Sequence, residues 1–319
     1  MRMCGRVQTA AQREAWLQER RQGIGASEVG MLFGVSPYGS LLSLWADKTG
    51  RETAPRTAQA EMSMRVGREL EALVCMLASE EIGLPIERWS ESLVMPGHPR
   101  VRATPDGFIH AATRGCFDAK VVGQHNMAEW LDGVVPLDYQ LQLQQQMLVT
   151  GCTWAIIAGL LLGSARQLVC KRIEFDPELG QLIVDRIEWF WSTHVEADVA
   201  PEADDHPSTA AAIAAMHPHD SKILIQLGRP LEHAKDDWLQ AKAEMSALKK
   251  RIALRENQLC LALADATWGE LPDGTGLSLK TQRHASGSTF RVLRQMAPKA
   301  VAVARRESDM RIADIMKAH

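Results

Sequence analysis

The chain has 319 residues, 46% hydrophobic and 24% charged, with a formal net charge of −3, a balance that suits one large globular domain plus an appendage. Its longest apolar run, 154–162, is about half of what a membrane span needs, and no apolar signal segment opens the sequence, so a cytoplasmic protein is expected. Six scattered cysteines without a Cys-x-x-Cys pair speak for reduced thiols and against a zinc site or an iron–sulfur cluster.

Residues 11–50 read as short helices broken by glycine. Trp16, Leu17 and Arg20 share one turn, Gly23 and Gly25 interrupt, 26–33 resumes, and Leu41–Lys48 follows a Pro37-Tyr38-Gly39 turn. A longer helix over 58–82 stops at Gly83 and Pro85, after which the period shifts to strands at 86–95, 101–104, 108–110 and 117–122. Helices are expected over 126–131 and 138–150, then two antiparallel strands, 153–162 and 167–175, joined by Gly163-Ser164. Asp176-Pro177 opens a helix reaching about residue 199. The segment Pro201 to Pro207 has the composition of a linker. Beyond it come one long charged amphipathic helix over 231–266, a Gly-rich hairpin-like stretch with a strand at 277–283, and a helical end. The expected domains are therefore a mixed α/β core over 1–200, a linker over 201–207, and a mostly helical appendage over 208–319. Residues 207–319 carry 17 Lys/Arg and 12 Asp/Glu, net +5, whereas 1–206 carry 19 and 27, net −8. The basic tail suits either phosphate attraction or an ordinary solvated helical face.

The most informative residues are Asp106, in the run Ala103-Thr104-Pro105-Asp106-Gly107, and Asp118-Ala119-Lys120 twelve residues later. Strand alternation puts Asp118 and Lys120 on one face, with Phe117, Ala119 and Val121 toward the core, at what reads as the edge of a buried sheet. Pro105 favours an extended approach to Asp106 and Gly107 permits a sharp exit. Two acids held close repel unless a divalent cation neutralises them, and hard oxygen donors favour Mg²⁺ or Mn²⁺. Against this stands a simple Pro-Asp-Gly turn beside an exposed strand. Glu71 shares a helix face with Gly67, Cys75 and Ala78, small residues that would allow close approach to a sheet. Helix geometry leaves it equally a third carboxylate or a rim glutamate. Tyr139, Gln142, Gln146 and Val149 form another stripe. Glutamine can donate to a phosphate oxygen or a water, although a polar outer helix face is the commoner situation and suits Gln140 and Gln144 best. Arg20, before Gly23-Ile24-Gly25-Ala26-Ser27, has the parts of a phosphate receptor, with the full dinucleotide and P-loop patterns absent.

Taken in order, these segments resemble the YqaJ-type viral recombinases, the lambda-exonuclease-like branch of the PD-(D/E)xK nucleases. The matching pieces are Trp16-Leu17-x-x-Arg20, Gly25-Ala26-Ser27-Glu28, Ser36-Pro37-Tyr38 with Leu44-Trp45, Gly67-x-x-x-Glu71, Thr104-Pro105-Asp106-Gly107, Asp118-Ala119-Lys120, and Tyr139-x-x-Gln142-x-Gln144-x-Gln146-Met147 with Val149-Thr150-Gly151. They span roughly 12–165. The resemblance implies a restriction-endonuclease-like mixed β-sheet core flanked by helices. It also implies a Mg²⁺-dependent exonuclease, Mn²⁺ being a possible substitute and two ions per site expected, that degrades one strand of duplex DNA from its 5′ end. By the same resemblance Asp106 and Asp118 ligate metal with the Ala119 carbonyl, Glu71 supports the metal site, Lys120 orients the water, and Gln142 lies beside the scissile phosphate. Arg20, Ser27 and Thr104 correspond to a pocket for a terminal 5′-phosphate, with Tyr139 on the DNA side. The family usually has Glu where this chain has Asp118, a change of about one methylene that bears on metal preference. The implied setting is a phage or prophage recombination exonuclease in a bacterial cytoplasm, a homo-oligomer, trimeric by resemblance, working on double-stranded DNA ends beside a single-strand annealing protein. The competing expectations are a PD-(D/E)xK endonuclease and a non-catalytic DNA-end-binding accessory protein.

Overall fold

The computed structural model describes residues 18–51, 53, 55, 57–123, 126–163, 166–284 and 286–317. Trp16 and Leu17 lie outside them. The chain divides into two compact units, Met1–Ser221 and Lys222–His319.

In the first unit, β1 (Ile24–Gly25) leads through a single 3-10 turn, Ala26–Glu28, into α1 (Val29–Leu32). The Ser40 hydroxyl accepts from the Ser43 amide and starts α2 (Leu41–Lys48). α3 (Ala58–Ile82) begins at a Thr57 cap and ends where Gly83 turns left-handed at φ +66°. Next come β2 (Ile86–Arg88), β3 (Leu93–Met95), β4 (His98–Ala103), β5 (Gly107–Ile109) and β6 (Gly115–Val122). The single strand expected over 86–95 is two strands in different sheets. The Trp89 amide still bonds to the Asp106 carbonyl, continuing β2 against β5 by one residue, and the Trp89 indole bonds to the Glu91 carbonyl where the chain leaves that sheet. α4 (Met127–Leu131), α5 (Leu137–Thr150), β7 (Trp154–Leu162), β8 (Arg166–Glu174) and α6 (Pro177–Phe190) follow. A π-helical turn, Trp191–Glu196, then leads to α7 (Pro207–Met216).

The main sheet has the order β2-β5-β6-β7-β8, with β6 and β7 parallel and the other pairs antiparallel. A smaller sheet, β1-β4-β3, stands apart from it. On one face of the main sheet α3 packs Val74, Cys75 and Ala78 against Ile109, Phe117 and Ile156. Gly67 has no neighbour within 4 Å of where a Cβ would stand, so the close approach expected there is made by Cys75 and Ala78 instead. On the other face α5 packs Leu143 and Met147 against Cys116, Ala155 and Ile157, while its Leu141 and Val149 meet Ile24, Val101 and Ile183 on the far side. This is a mixed α/β core flanked by helices, as expected, with α5 enclosed between two sheets.

That enclosure explains the glutamines. A helix covered on both sides has no outer face, so Gln144, Gln145 and Gln146 are all buried and each finds a backbone or carboxylate partner. Gln144, expected on a polar outer face, instead donates to the Glu174 carbonyl and accepts from the Asp176 amide, joining β8 to α6.

The linker expected at 201–207 does not separate the units. α7 lies beyond it yet belongs to the first unit, where the Thr209 hydroxyl donates to Ser40 Oγ at 2.7 Å. The second unit holds α8 (Arg229–Leu263), β9 (Trp268–Glu270), β10 (Gly276–Arg283), β11 (Thr289–Met296) and α9 (Pro298–Lys317). Its strands form an antiparallel sheet in the order β11-β10-β9. The appendage is largely helical, but β11, in a stretch expected to be helical, pairs along the whole of β10. No helix among the described residues is long and apolar enough to cross a membrane.

Candidate active site

β6 is the third of five strands and not an edge, which corrects the sequence expectation. The opening arises differently. β5 pairs with β6 only over Gly115–Phe117, so from Asp118 onward that side of β6 has no strand beside it. Asp106 sits where β5 begins. Its amide bonds to the Phe117 carbonyl at 3.1 Å, and its carbonyl accepts from the Trp89 amide at 3.0 Å. Held by its own backbone, it turns its carboxylate to the uncovered stretch, where Oδ2 accepts the Ala119 amide at 2.8 Å. A strand residue sends its N–H and C=O to the same side, so the Ala119 carbonyl faces that opening too.

Asp118, 1% exposed, points from β6 toward α5. Its Oδ1 accepts from Gln142 at 2.7 Å and Gln146 at 2.9 Å, and its Oδ2 is ion-paired with the Lys120 ammonium. The Lys120 Nζ lies 5.0 Å from the centre of the Tyr139 ring, whose hydroxyl meets that of Tyr38 at 3.1 Å. Burial pushes the Tyr139 phenol well above its ordinary range, with the Tyr38 bond adding to the effect. The carboxyl of Asp106 is pushed up to about 8, first by burial and then by the Asp118 charge, with Lys120 and the Ala119 amide opposing. Burial acts to lower the Lys120 pKa, but the Asp118 and Asp106 carboxylates outweigh it and hold the pKa above its usual value. Lys120 is therefore an ammonium at neutral pH.

Two carboxylates and a peptide carbonyl make a hard oxygen donor set, and burial followed by the Asp118 charge holds the Asp106 carboxyl above its ordinary range. This fits a divalent cation of the Mg²⁺ or Mn²⁺ kind. Glu71 comes from α3 on the opposite face and is ion-paired with Arg88 at 3.0 Å. It is close enough to raise the Asp106 pKa slightly. Among the described residues no three His, Cys, Asp or Glu side chains converge as a metal-binding group, so Glu71 does not join the two aspartates as a third ligand in this arrangement.

A cavity of about 470 Å³ opens beside this cluster, lined by Arg20, Ser27, Arg102, Thr104 and Gln142 among others. Ser27 and Thr104 are exposed in it. Arg20 does not stand in it alone. Its guanidinium bonds to Glu28 at 2.7 and 2.8 Å, and the other Glu28 oxygen takes the Lys48 ammonium at 2.7 Å and the Gly25 amide at 2.9 Å. Burial raises the Glu28 pKa, but Lys48 and then Arg20 outweigh it, leaving the carboxyl below its ordinary range.

Reading the sequence did not assign roles to Glu28, Lys48 or Gln145. Gln145, fully buried, donates to the carbonyls of Ile24 and Arg102 at 2.8 Å each and so holds β1 to β4, the two strands that flank the cavity. A lysine ending a helix with Leu42, Leu44, Trp45 and Ala46 buried, Leu-Leu-Ser-Leu-Trp-Ala-Asp-Lys, was the available signal for Lys48. Gln146 was visible as an i, i+4 neighbour of Gln142, and it shares that residue's carboxylate.

The profile of the YqaJ-like viral recombinase domain matches residues 15–153. The YqaJ protein of Bacillus subtilis (strain 168) is 26% identical over 258 residues, covering 81% of this chain and 80% of its own. Among solved structures, the alkaline exonuclease LHK-Exo of Laribacter hongkongensis is 24% identical and covers 58% of this chain and 94% of its own, with a TM-score of 0.48. A phage related exonuclease from Haemophilus somnus 129PT is 15% identical, covering 55% of this chain and 95% of its own, with a TM-score of 0.42.

Proposed function

We propose that this chain, whose residues 15–153 match the model of the YqaJ-like viral recombinase domain, is a metal-dependent deoxyribonuclease of that kind. It degrades one strand of linear duplex DNA from the 5′ end and leaves 3′ single-stranded overhangs for phage-type recombination. The observation that carries the proposal is the position of Gln142. Its amide donates to Asp118, and the same side chain lines the cavity of Arg20, Ser27 and Thr104. A strand whose terminal phosphate sat in that cavity would run past Gln142 toward the carboxylates.

Asp106, Asp118 and the Ala119 carbonyl would hold the cation. When bound, it supplies Lewis-acid charge against phosphate oxygens and a water acidified toward neutral pH. Gln142 and Gln146 hold Asp118 in one rotamer. Lys120, ion-paired with Asp118, serves as a positive charge that orients the attacking water and stabilises the charge gathering on the phosphate. Ser27 and Thr104 hydroxyls and the Arg20 guanidinium supply donors for a terminal 5′-phosphate. A single-strand annealing protein is the partner this product calls for.

The test is linear duplex DNA with one 5′-phosphorylated end, in Mg²⁺, with Asp106→Ala and Lys120→Ala beside the parent chain. Loss of the 5′-phosphorylated strand by the parent alone is expected, with closed circular duplex left intact. Cleaved circles would mean an endonuclease, and bound but uncut linear DNA would mean an end-binding accessory protein.

A further inference from the structure

The long helix α8 has an unpartnered apolar face with a definite period. Leu231, Trp238, Met245, Ile252 and Leu259 recur at intervals of seven residues. The first four are between 49% and 55% exposed, and Leu259 is half-buried. The helix is 35 residues long, about 52 Å at 1.5 Å per residue, and Leu263 at its last turn is its one buried residue. Helices in proteins draw most of their stability from packing an apolar face. This one presents such a face to solvent along nearly its whole length.

With those five residues at heptad position a, position d holds Ala234, Ala241, Leu248, Arg255 and Ala262. Large a residues beside mostly small d residues let two helices approach closely. The flanking charges then specify a partner. In a parallel pair, the residue before each a position faces the residue four after that a position on the other helix. Here those pairs are Asp237 with Lys242, Glu244 with Lys249, and Arg251 with Glu256. In all three heptads where both positions are charged, the signs are opposite. The sense reverses in the third pair, so a general excess of one charge on either side does not explain the match. An antiparallel pair centred on the helix would instead set Lys242 against Lys249. Lys242 already lies over the Trp238 ring at 3.9 Å, covering the seam from its flank. Arg255 at a d position can extend to solvent from a two-stranded coil, whereas a third strand would enclose it. Leu239, Leu254 and Leu261 lie off this seam and take no part in it.

We propose that α8 forms a parallel two-stranded coiled coil with the α8 of a second copy of this chain. The interface does not depend on the nuclease reading.

Sedimentation equilibrium of the full chain tests it against three variants. Met245→Asp/Ile252→Asp puts charge in the seam and is expected to raise the dissociation constant at least about a hundredfold, roughly 2.7 kcal/mol. The second variant, Lys242→Glu/Lys249→Glu/Glu256→Lys, reverses one flank. The third, Asp237→Lys/Glu244→Lys/Arg251→Glu, reverses the other. Each flank variant alone should lose the association, and an equimolar mixture of the two should recover it, because all six cross-pairs are then opposite in sign. Association through any other surface is common to all samples and cancels in the comparison. Equal masses and dissociation constants for the parent and Met245→Asp/Ile252→Asp would overturn the proposal. So would a mixture of the flank variants that stays dissociated.

Discussion

The first unit contains two buried charge clusters of opposite bias. Just before β5 and in the middle of β6, Asp106 and Asp118 share one ammonium, that of Lys120. Between the first turns and α2, the single buried carboxylate of Glu28 is shared by Arg20 and Lys48. Asp47 approaches Lys48 only at 3.8 Å and is 36% exposed, so it offsets little of that excess. Buried ion pairs made only for structure tend toward balance, because an uncompensated charge in the interior is costly. Under the proposed function the first cluster would take up a cation and the second would face the anionic end of the DNA. Gln142, bonded to the first and lining the cavity of Arg20, stands between them.

The largest effect is expected at the acidic cluster. Asp106→Ala or Lys120→Ala should reduce strand degradation at least about 10³-fold, in line with the loss of a charged group aimed at the reacting phosphate. Binding of linear duplex should persist in both, as read by gel shift. Activity within tenfold of the parent would break the assignment of this cluster to the chemistry.

Next is Glu28→Gln, where the readout is stability. Lys48 is fully buried, so removing the one carboxylate that neutralises it should destabilise the protein by about 3–5 kcal/mol. Circular dichroism during thermal or urea unfolding measures this. The pH dependence follows from the depressed Glu28 pKa. The stabilisation is fully present above the ordinary glutamate value of 4.5 and is lost only as pH falls below that, through the depressed native value. Glu28→Gln should remove that part of the acid limb. A variant as stable as the parent at neutral pH would mean that the cluster contributes nothing to the fold. Arg20→Ala gives a smaller and more selective effect. It should cut the preference for phosphorylated over hydroxyl 5′ ends about tenfold, the scale of one charge-assisted hydrogen bond. Equal loss on both kinds of end would show that Arg20 serves Glu28 alone.

The acidic cluster was more legible in the sequence than the basic one, for a physical reason. Asp118 and Lys120 are two residues apart on a strand, so alternation alone puts them on one face. Asp106 was recognisable by its Pro and Gly neighbours and by the order of motifs. Glu28 and Lys48 are twenty residues apart on different elements, and no local period links them. The glutamines of α5 were misjudged in part because a polar helix residue reads as solvent-facing unless both sides of the helix are known to be covered. The small sheet that covers the far side of α5 is built from β1, β3 and β4, segments of two to six residues. Segments that short carry little pattern. β11 differs, being eight residues long, and its identity rests on pairing along the whole of β10.

The smallest change of side chain concerns Asp118 itself, one methylene shorter than the glutamate that the resemblance implies there. In this structure the short side chain is matched to its surroundings. Gln142 and Gln146 both reach one of its oxygens from α5, Lys120 takes the other, and the group is 1% exposed. Gln146 is fully buried and has no room to retreat. Asp118→Glu would drive one more methylene into that contact. Overpacking of this kind costs about 1–3 kcal/mol, and the displaced carboxylate should lower the Mg²⁺-supported rate by roughly tenfold. A melting curve and a rate on the same phosphorylated duplex separate the two effects. If Asp118→Glu were instead faster and equally stable, the aspartate would be a lesion in the site. A slower, less stable variant would show that the helix and the carboxylate have adjusted to each other, with the glutamines of α5 making up for the shorter arm.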